Sequence, residues 1–202
     1  MSAEIPQFSR EHSRLWTAAV VLPSWRGFQS RQGGYGAQDR DAPSKGLVKI
    51  VFAPEGRGKE PLTDSEMSLV RWVIDHEASI STALLKSLLK EYPSLQKEYG
   101  YSGAQKSRLM PDIRSVEGLR DLIGLHAINI HQVQKDGIPY AGFEFGCTWD
   151  EEHGLGVLMH GTRTVEIGGA DTAMLLWIAK EDAGLNGEED DQEKEERRGR
   201  LN

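Results

Sequence analysis

The chain is poor in cysteine, with one residue, Cys147, in 202. That excludes an intramolecular disulfide and, with no secretory pattern at the N-terminus, points to a reducing compartment. Long apolar runs are missing too. A membrane-spanning helix needs roughly 18 apolar residues, whereas the longest stretches here, AAVVL at 18–22 and MLLWIA at 174–179, are of core length. The opening MSAEIPQFSREHSRLW has no apolar segment behind a basic start, so no signal peptide is expected and the protein is placed in the cytoplasm. Nor is there a basic surplus: 24 Lys and Arg stand against 31 Asp and Glu, a net charge of −7. Such a balance would not displace counterions from a phosphate backbone, so neither nucleic acid nor a membrane is expected as a partner.

The acidity is concentrated at one end. Residues 181–202 hold nine acidic and four basic side chains, and the other 180 residues are nearly neutral. A segment such as EEDDQEKEERRGR cannot bury apolar surface, so 181–202 is expected to be a disordered acidic tail. Residues 1–13 are polar and expected to fray. Between them, 14–180 is long enough for one domain with a real core.

Within that domain, Trp16–Leu22 is apolar and β-branched and predicts a buried strand ended by Pro23. The glycine-rich stretch 26–46 reads as a long loop. GLVKIVFAP at 46–54 predicts a second strand, with Val48, Ile50 and Phe52 on one face and Lys49 on the other, and EGRGK at 55–59 a turn. Thr63 and Glu66 form a capping box ahead of an apolar pattern that runs at helical spacing from Met67 to Tyr92, with a gap at Asp75–Glu77 where two helices could divide and with Pro93 stopping it or lying just beyond its end. Residues 94–110 read as irregular, and Ser115–Ile123 as a short helix with Gly124 in its left-handed cap.

Beyond it, HAINIHQV at 126–133 and IPYAGFEFGCTW at 138–149 predict two strands joined by an Asp-Gly turn. On the second strand Ala141, Phe143, Phe145, Cys147 and Trp149 share a face. Gly142, Glu144 and Gly146 share the other, where a backbone or a ligand can approach closely. LGVLMHG at 155–161 and TVEIG at 164–168 form a further hairpin, and Asp171 is placed to cap a last helix from Thr172 to Lys180. The class is α+β: a C-terminal antiparallel meander packed with helices, two N-terminal strands and a central helical region.

Chemistry-bearing residues cluster in WDEEHG at 149–154, where Asp150, Glu151, Glu152 and His153 crowd one predicted turn. Carboxylates beside imidazole bind divalent cations, and His160 at the next strand end would complete such a set. No HExxH or DxDxDG spacing is present, and turns are commonly charged without being sites. His126 and His131, an odd number apart, are expected on opposite faces of their strand. His131 is expected to be hydrogen-bonded or at an edge, and His76 on the surface. Cys147, beside Phe145 and Trp149, is expected to be a buried, inert thiol.

LPSWRGFQSRQGGYG at 22–36, MPDIRSVEGLRDLIGL at 110–125 and FGCTWDEEHGLGVLMHGTRTVEIGGADTA at 145–173 together resemble a bacterial domain family of unknown function. Its hallmark is WDEEHGLG followed by IGGADTA, and the resemblance runs from about Trp16 to about Trp177. It implies a small cytoplasmic α+β protein without an assigned reaction, similar to the accessory and immunity-type proteins of polymorphic toxin loci. No catalytic residues carry over.

Two main readings follow. In the first, the chain is a protein-binding, immunity-type module that engages a basic partner such as a toxin domain through Asp150, Glu151 and Glu152, with no cofactor. In the second, it is a hydrolase assisted by a divalent metal on Glu151, Glu152, His153 and His160. A third reading, a small-ligand carrier, would use the pocket near Gly142, Glu144 and Gly146.

Overall fold

The computed structural model describes residues 6–11, 15–30, 43–52 and 59–185. Most of the 26–46 loop, the turn at 55–58 and the tail beyond 185 lie outside the described residues. The strands are β1 (Ser9–Glu11), β2 (Leu15–Val21), β3 (Leu47–Phe52), β4 (Ile123–Lys135), β5 (Ile138–Cys147), β6 (Leu155–His160) and β7 (Arg163–Gly168). They form one seven-stranded sheet in sequence order. Every neighbouring pair is antiparallel except β3 and β4. That parallel pair requires a long crossover, and the crossover carries the helical region: α1 (Asp64–Asp75), α2 (Glu77–Tyr99) and α3 (Gly103–Leu109). The fold is α+β.

Strand alternation gives the sheet two different faces. One row of paired residues runs Ala18, Ile50, Ile128, Phe143, Val157, Ile167 across six strands. It is apolar throughout and lies under α1 and α2, whose Val70, Val73, Ile80, Leu84 and Leu88 join it in the main core. The next row on the opposite face runs Ala19, Lys49, Ala127, Glu144, Gly156, Gly168, and the one beside it Thr17, Val51, Asn129, Gly142, Leu158, Glu166. Here the glycines fall on β5–β7, and the segment after β7 lies directly on them. A Cβ built on Gly142 would sit 1.8 Å from the Ala173 carbonyl oxygen, and one on Gly156 2.3 Å from that of Gly169. The close approach expected at the glycine face is thus made by the chain's own backbone at Gly142.

That segment is a 3-10 turn, Ala170–Ala173, followed by α4 (Leu176–Ala183), and it differs from the expected single helix capped by Asp171. Asp171 lies inside the 3-10 turn, whose N-cap is Gly169, and makes no side-chain cap bond there, while its carbonyl accepts from Met174 and Leu175. The helix also reaches past 180 into the expected tail. Asp182 accepts from Arg163 (Nη1 at 3.0 Å), and the Tyr140 hydroxyl donates to it at 2.6 Å, pinning α4 to β5 and β7. A second small core of Val133, Tyr140, Leu158, Leu176 and Ala179 seals this side.

Other departures have local causes. The capping box is present, with Thr63 accepting from the Glu66 amide and the Glu66 carboxylate from that of Thr63. Pro93, however, sits inside α2 rather than ending it. The proline costs about 3 kcal/mol in a helix interior. The turns beyond it are held by Gln96 donating to the Met110 carbonyl at 2.8 Å and by a left-handed cap at Gly100. Residues 103–109, expected to be irregular, form α3. The short helix at 116–121 is 3-10, and Gly124 lies within β4 instead of capping it. Ser9–Glu11 pair with β2 as an edge strand where fraying was expected. Trp25 and Phe28, at the start of the expected loop, are fully buried, with Trp25 packed 5.4 Å from Phe145 and 5.2 Å from Phe28 between ring centroids.

Candidate functional site

The WDEEHG segment is the turn between β5 and β6. Trp149 closes the β5 face by packing edge-on against Tyr92, 5.7 Å between centroids. Asp150, immediately after it, turns inward. One carboxylate oxygen accepts from the His153 amide at 2.8 Å and from the His153 imidazole Nδ1 at 3.2 Å, and the other from the Tyr99 hydroxyl at 2.9 Å. The Asp150 carbonyl accepts from the Gly154 amide at 3.0 Å and from the Cys147 thiol at 3.4 Å. Gly154 has φ 67°, a left-handed conformation that glycine adopts without a side-chain penalty. The His153 carbonyl accepts from the Ala170 amide, which ties the turn to the segment after β7.

These contacts set the electrostatics of the turn. Burial pushes the Asp150 carboxyl up, but the His153 amide, the Tyr99 hydroxyl and the imidazole outweigh it and hold it below its ordinary value. Burial, with the Asp150 bond behind it, raises Tyr99, so its hydroxyl stays a donor. Asp150 is therefore an internal brace, as local bonding at turns predicts. Its side chain is 16 % exposed, against 71 % for His153. Its carboxylate oxygens face Tyr99 and His153. Glu151 is half-buried, while Glu152 and His153 are exposed.

The metal-binding reading places His160 with this turn, but the fold does not bring them together. His153 lies in the turn before β6 and His160 ends that strand, whose own length is about 17 Å at strand rise. His160 instead stacks on Tyr140 and donates to the Lys135 carbonyl at 3.1 Å. Among the described residues no group of three or more His, Cys, Asp or Glu side chains is arranged to hold a metal ion. Cys147 is buried. His131 is buried and donates from Nε2 to the Ala173 carbonyl at 3.0 Å, and His76 is exposed. The opposite-face expectation for His126 and His131 fails because β4 has a bulge between Leu125 and Ala127. The extra residue resets the alternation, and His126 comes to the rim of the face that carries Asn129.

Tyr99, Tyr101 and Arg108 belong to the site and were not singled out as functional by the sequence. Tyr99 and Tyr101 flank the Gly100 cap and stack 6.0 Å apart, and the Tyr101 hydroxyl donates to the Trp149 carbonyl at 2.8 Å. Tyr101, Arg108, Leu109, Thr148, Trp149 and Glu151 line a groove of about 310 Å³ beside the turn. The one available signal was the pair of tyrosines around a glycine at the end of a helical pattern. No helix among the described residues is long and apolar enough to cross a membrane.

A family model for a domain of unknown function, DUF6985, matches residues 38–175, which takes in the turn, the groove and the sheet from β3 to β7 but not β1 or β2. No curated protein and no solved structure matches the chain.

Proposed function

This chain belongs to the family of the DUF6985 domain of unknown function, and from that premise we propose that it works as a protein-binding module of the immunity type. The partner is a basic protein such as a toxin domain, and the contact is the turn at 150–154 with the groove beside it. The observation that carries this reading is the internal bracing of Asp150, which leaves a rigid turn with Glu151 and Glu152 on its outer side. A loop already held in one conformation avoids part of the ordering cost of association, about 0.5–1.5 kcal/mol for each side chain that would otherwise be immobilised. Tyr101 and Arg108 in the adjoining groove are residue types enriched at protein interfaces. The acidic pair steers an oppositely charged partner and makes association depend on ionic strength.

The test is affinity capture from the native host with the wild-type chain and with the double variant Glu151→Lys, Glu152→Lys, followed by binding kinetics on whatever is retained. The expected partner is basic, is captured by the wild type, and associates roughly tenfold more slowly with the double variant at low salt. Equal capture by both forms, or an acidic partner, would refute the reading.

A further inference from the structure

The groove beside the 150–154 turn has α3 on one side and the turn on the other. It holds about 310 Å³, or about ten water molecules of liquid at roughly 30 Å³ each, which is room for one side chain and the backbone that carries it. Its hydroxyls have already given up their protons. Tyr101 donates to the Trp149 carbonyl at 2.8 Å, and Thr148 donates to the Leu109 carbonyl. A hydroxyl has one proton and two lone pairs, so the Tyr101 oxygen keeps only acceptor capacity for anything that enters. The two bases of α3 stand differently. Lys106 is answered within the chain by Asp112 at 2.7 Å. Arg108, two residues on, is exposed on the groove wall, and no hydrogen bond or ion pair joins it to another described residue. It is the cation of the lining. Glu151, on the turn side, is the anion and has interactions of its own.

We propose that this groove receives an acidic side chain of a partner polypeptide, its carboxylate on Arg108 and a basic neighbour of that residue toward the turn. The guanidinium is a planar fork of N–H donors that matches a carboxylate in two bonds at once. Leu109 and the Tyr101 ring offer apolar wall to the methylene stem, and the Tyr101 oxygen accepts a backbone N–H of the same segment. Glu152, exposed on the turn, sets the direction. A carboxylate at that end is repelled, and a lysine or arginine is attracted. The occupant is therefore a short stretch with an acid and a base on one side, lying across the groove, and not a uniformly basic surface. This names how the basic partner proposed above docks, and it rests on that reading for the face it uses.

The experiment uses the full chain, labelled with ¹⁵N, and two acetylated, amidated peptides, Ala-Glu-Leu-Lys-Ala and Ala-Gln-Leu-Lys-Ala. In an extended peptide the second and fourth side chains project to one side. The glutamate peptide at millimolar concentration is expected to shift the Arg108 Nε–H and the Tyr101 backbone amide. At low salt it should bind roughly threefold to tenfold more tightly than the glutamine peptide, and high salt should close the gap. Arg108→Gln, an exposed position, should bind both peptides about equally. No shift with the glutamate peptide, or equal binding of the two peptides to the wild type, would overturn the proposal, and that comparison stands whether or not the variant folds. Peptide binding through Arg108 in a chain that captures no basic partner would sink the immunity-type reading and leave this one standing. Capture of a basic partner by a chain that does not discriminate the peptides would do the reverse.

Discussion

Replacing Gly142 with alanine tests how the second face of the sheet is closed. The new methyl would lie 1.8 Å from the Ala173 oxygen, 2.5 Å from its carbonyl carbon and 2.6 Å from its Cα. All three are backbone atoms, so no side-chain rotation relieves the clash, and the 3-10 turn must move off β5 by more than an ångström. Overpacking alone typically costs 1–3 kcal/mol, and more where backbone shifts. The same movement stretches the buried bond from His131 to the Ala173 carbonyl, worth about 0.5–1.5 kcal/mol. Together these predict a loss of about 1.5–4.5 kcal/mol, or a Tm lowered by roughly 3–18 °C for a domain of this size. Urea unfolding followed by tryptophan fluorescence, with calorimetry alongside, measures it. Gly100→Ala is the control. That position has φ 64° and nothing within 4 Å of a built Cβ, so only backbone strain is added, about 1 kcal/mol. If Gly142→Ala unfolds within about 1 kcal/mol of wild type, or costs no more than Gly100→Ala, the account of this face is wrong.

Two further predictions concern carboxylates. Asp150→Ala leaves the Tyr99 hydroxyl and the His153 amide without their acceptor and should destabilise the chain by about 1–3 kcal/mol. Tyr99→Phe, which removes one donor and leaves the His153 amide its acceptor, should cost less in the same urea titration; a larger loss for Tyr99→Phe would show that Asp150 is not the brace. Arg163, helped by Tyr140 against the opposing effect of burial, lowers the Asp182 carboxyl to about 2. A group whose folded value is depressed stabilises above its unfolded pKa and loses that contribution as pH falls through the folded one. The anchoring of α4 should thus be intact at neutral pH and weaken between about pH 4 and pH 2. Asp182→Asn should flatten that part of the Tm profile, and a wild-type profile already flat there would contradict the assignment.

The part of the fold that was legible in the sequence is the part made by near neighbours. Alternation along β3 and β5 marks the core face by itself, because a side chain's direction in a strand depends only on the parity of its position. The Thr63–Glu66 box and the Asp136–Gly137 turn, with φ 54° and 75°, are likewise closed by residues within three of one another. The crowding of carboxylates at 150–152 was equally visible, but not which of them points inward, since that is decided by Tyr99, fifty-one residues earlier.

What tertiary structure alone decided depends on chain segments distant in sequence. The parallel pairing of β3 with β4, the continuation of α2 through Pro93, and the burial of Trp25 each rest on partners that no local window contains. The bulge at His126 undid a parity argument that assumed a regular strand. By itself the sequence determined an α+β chain, an amphipathic pattern for most elements and a glycine face open to close approach. Only the packed molecule decided that its own segment, ending at Ala173, fills that approach over β5–β7. The physical reason is that a local pattern specifies which side of an element seeks cover, whereas the cover itself comes from whichever distant backbone fits.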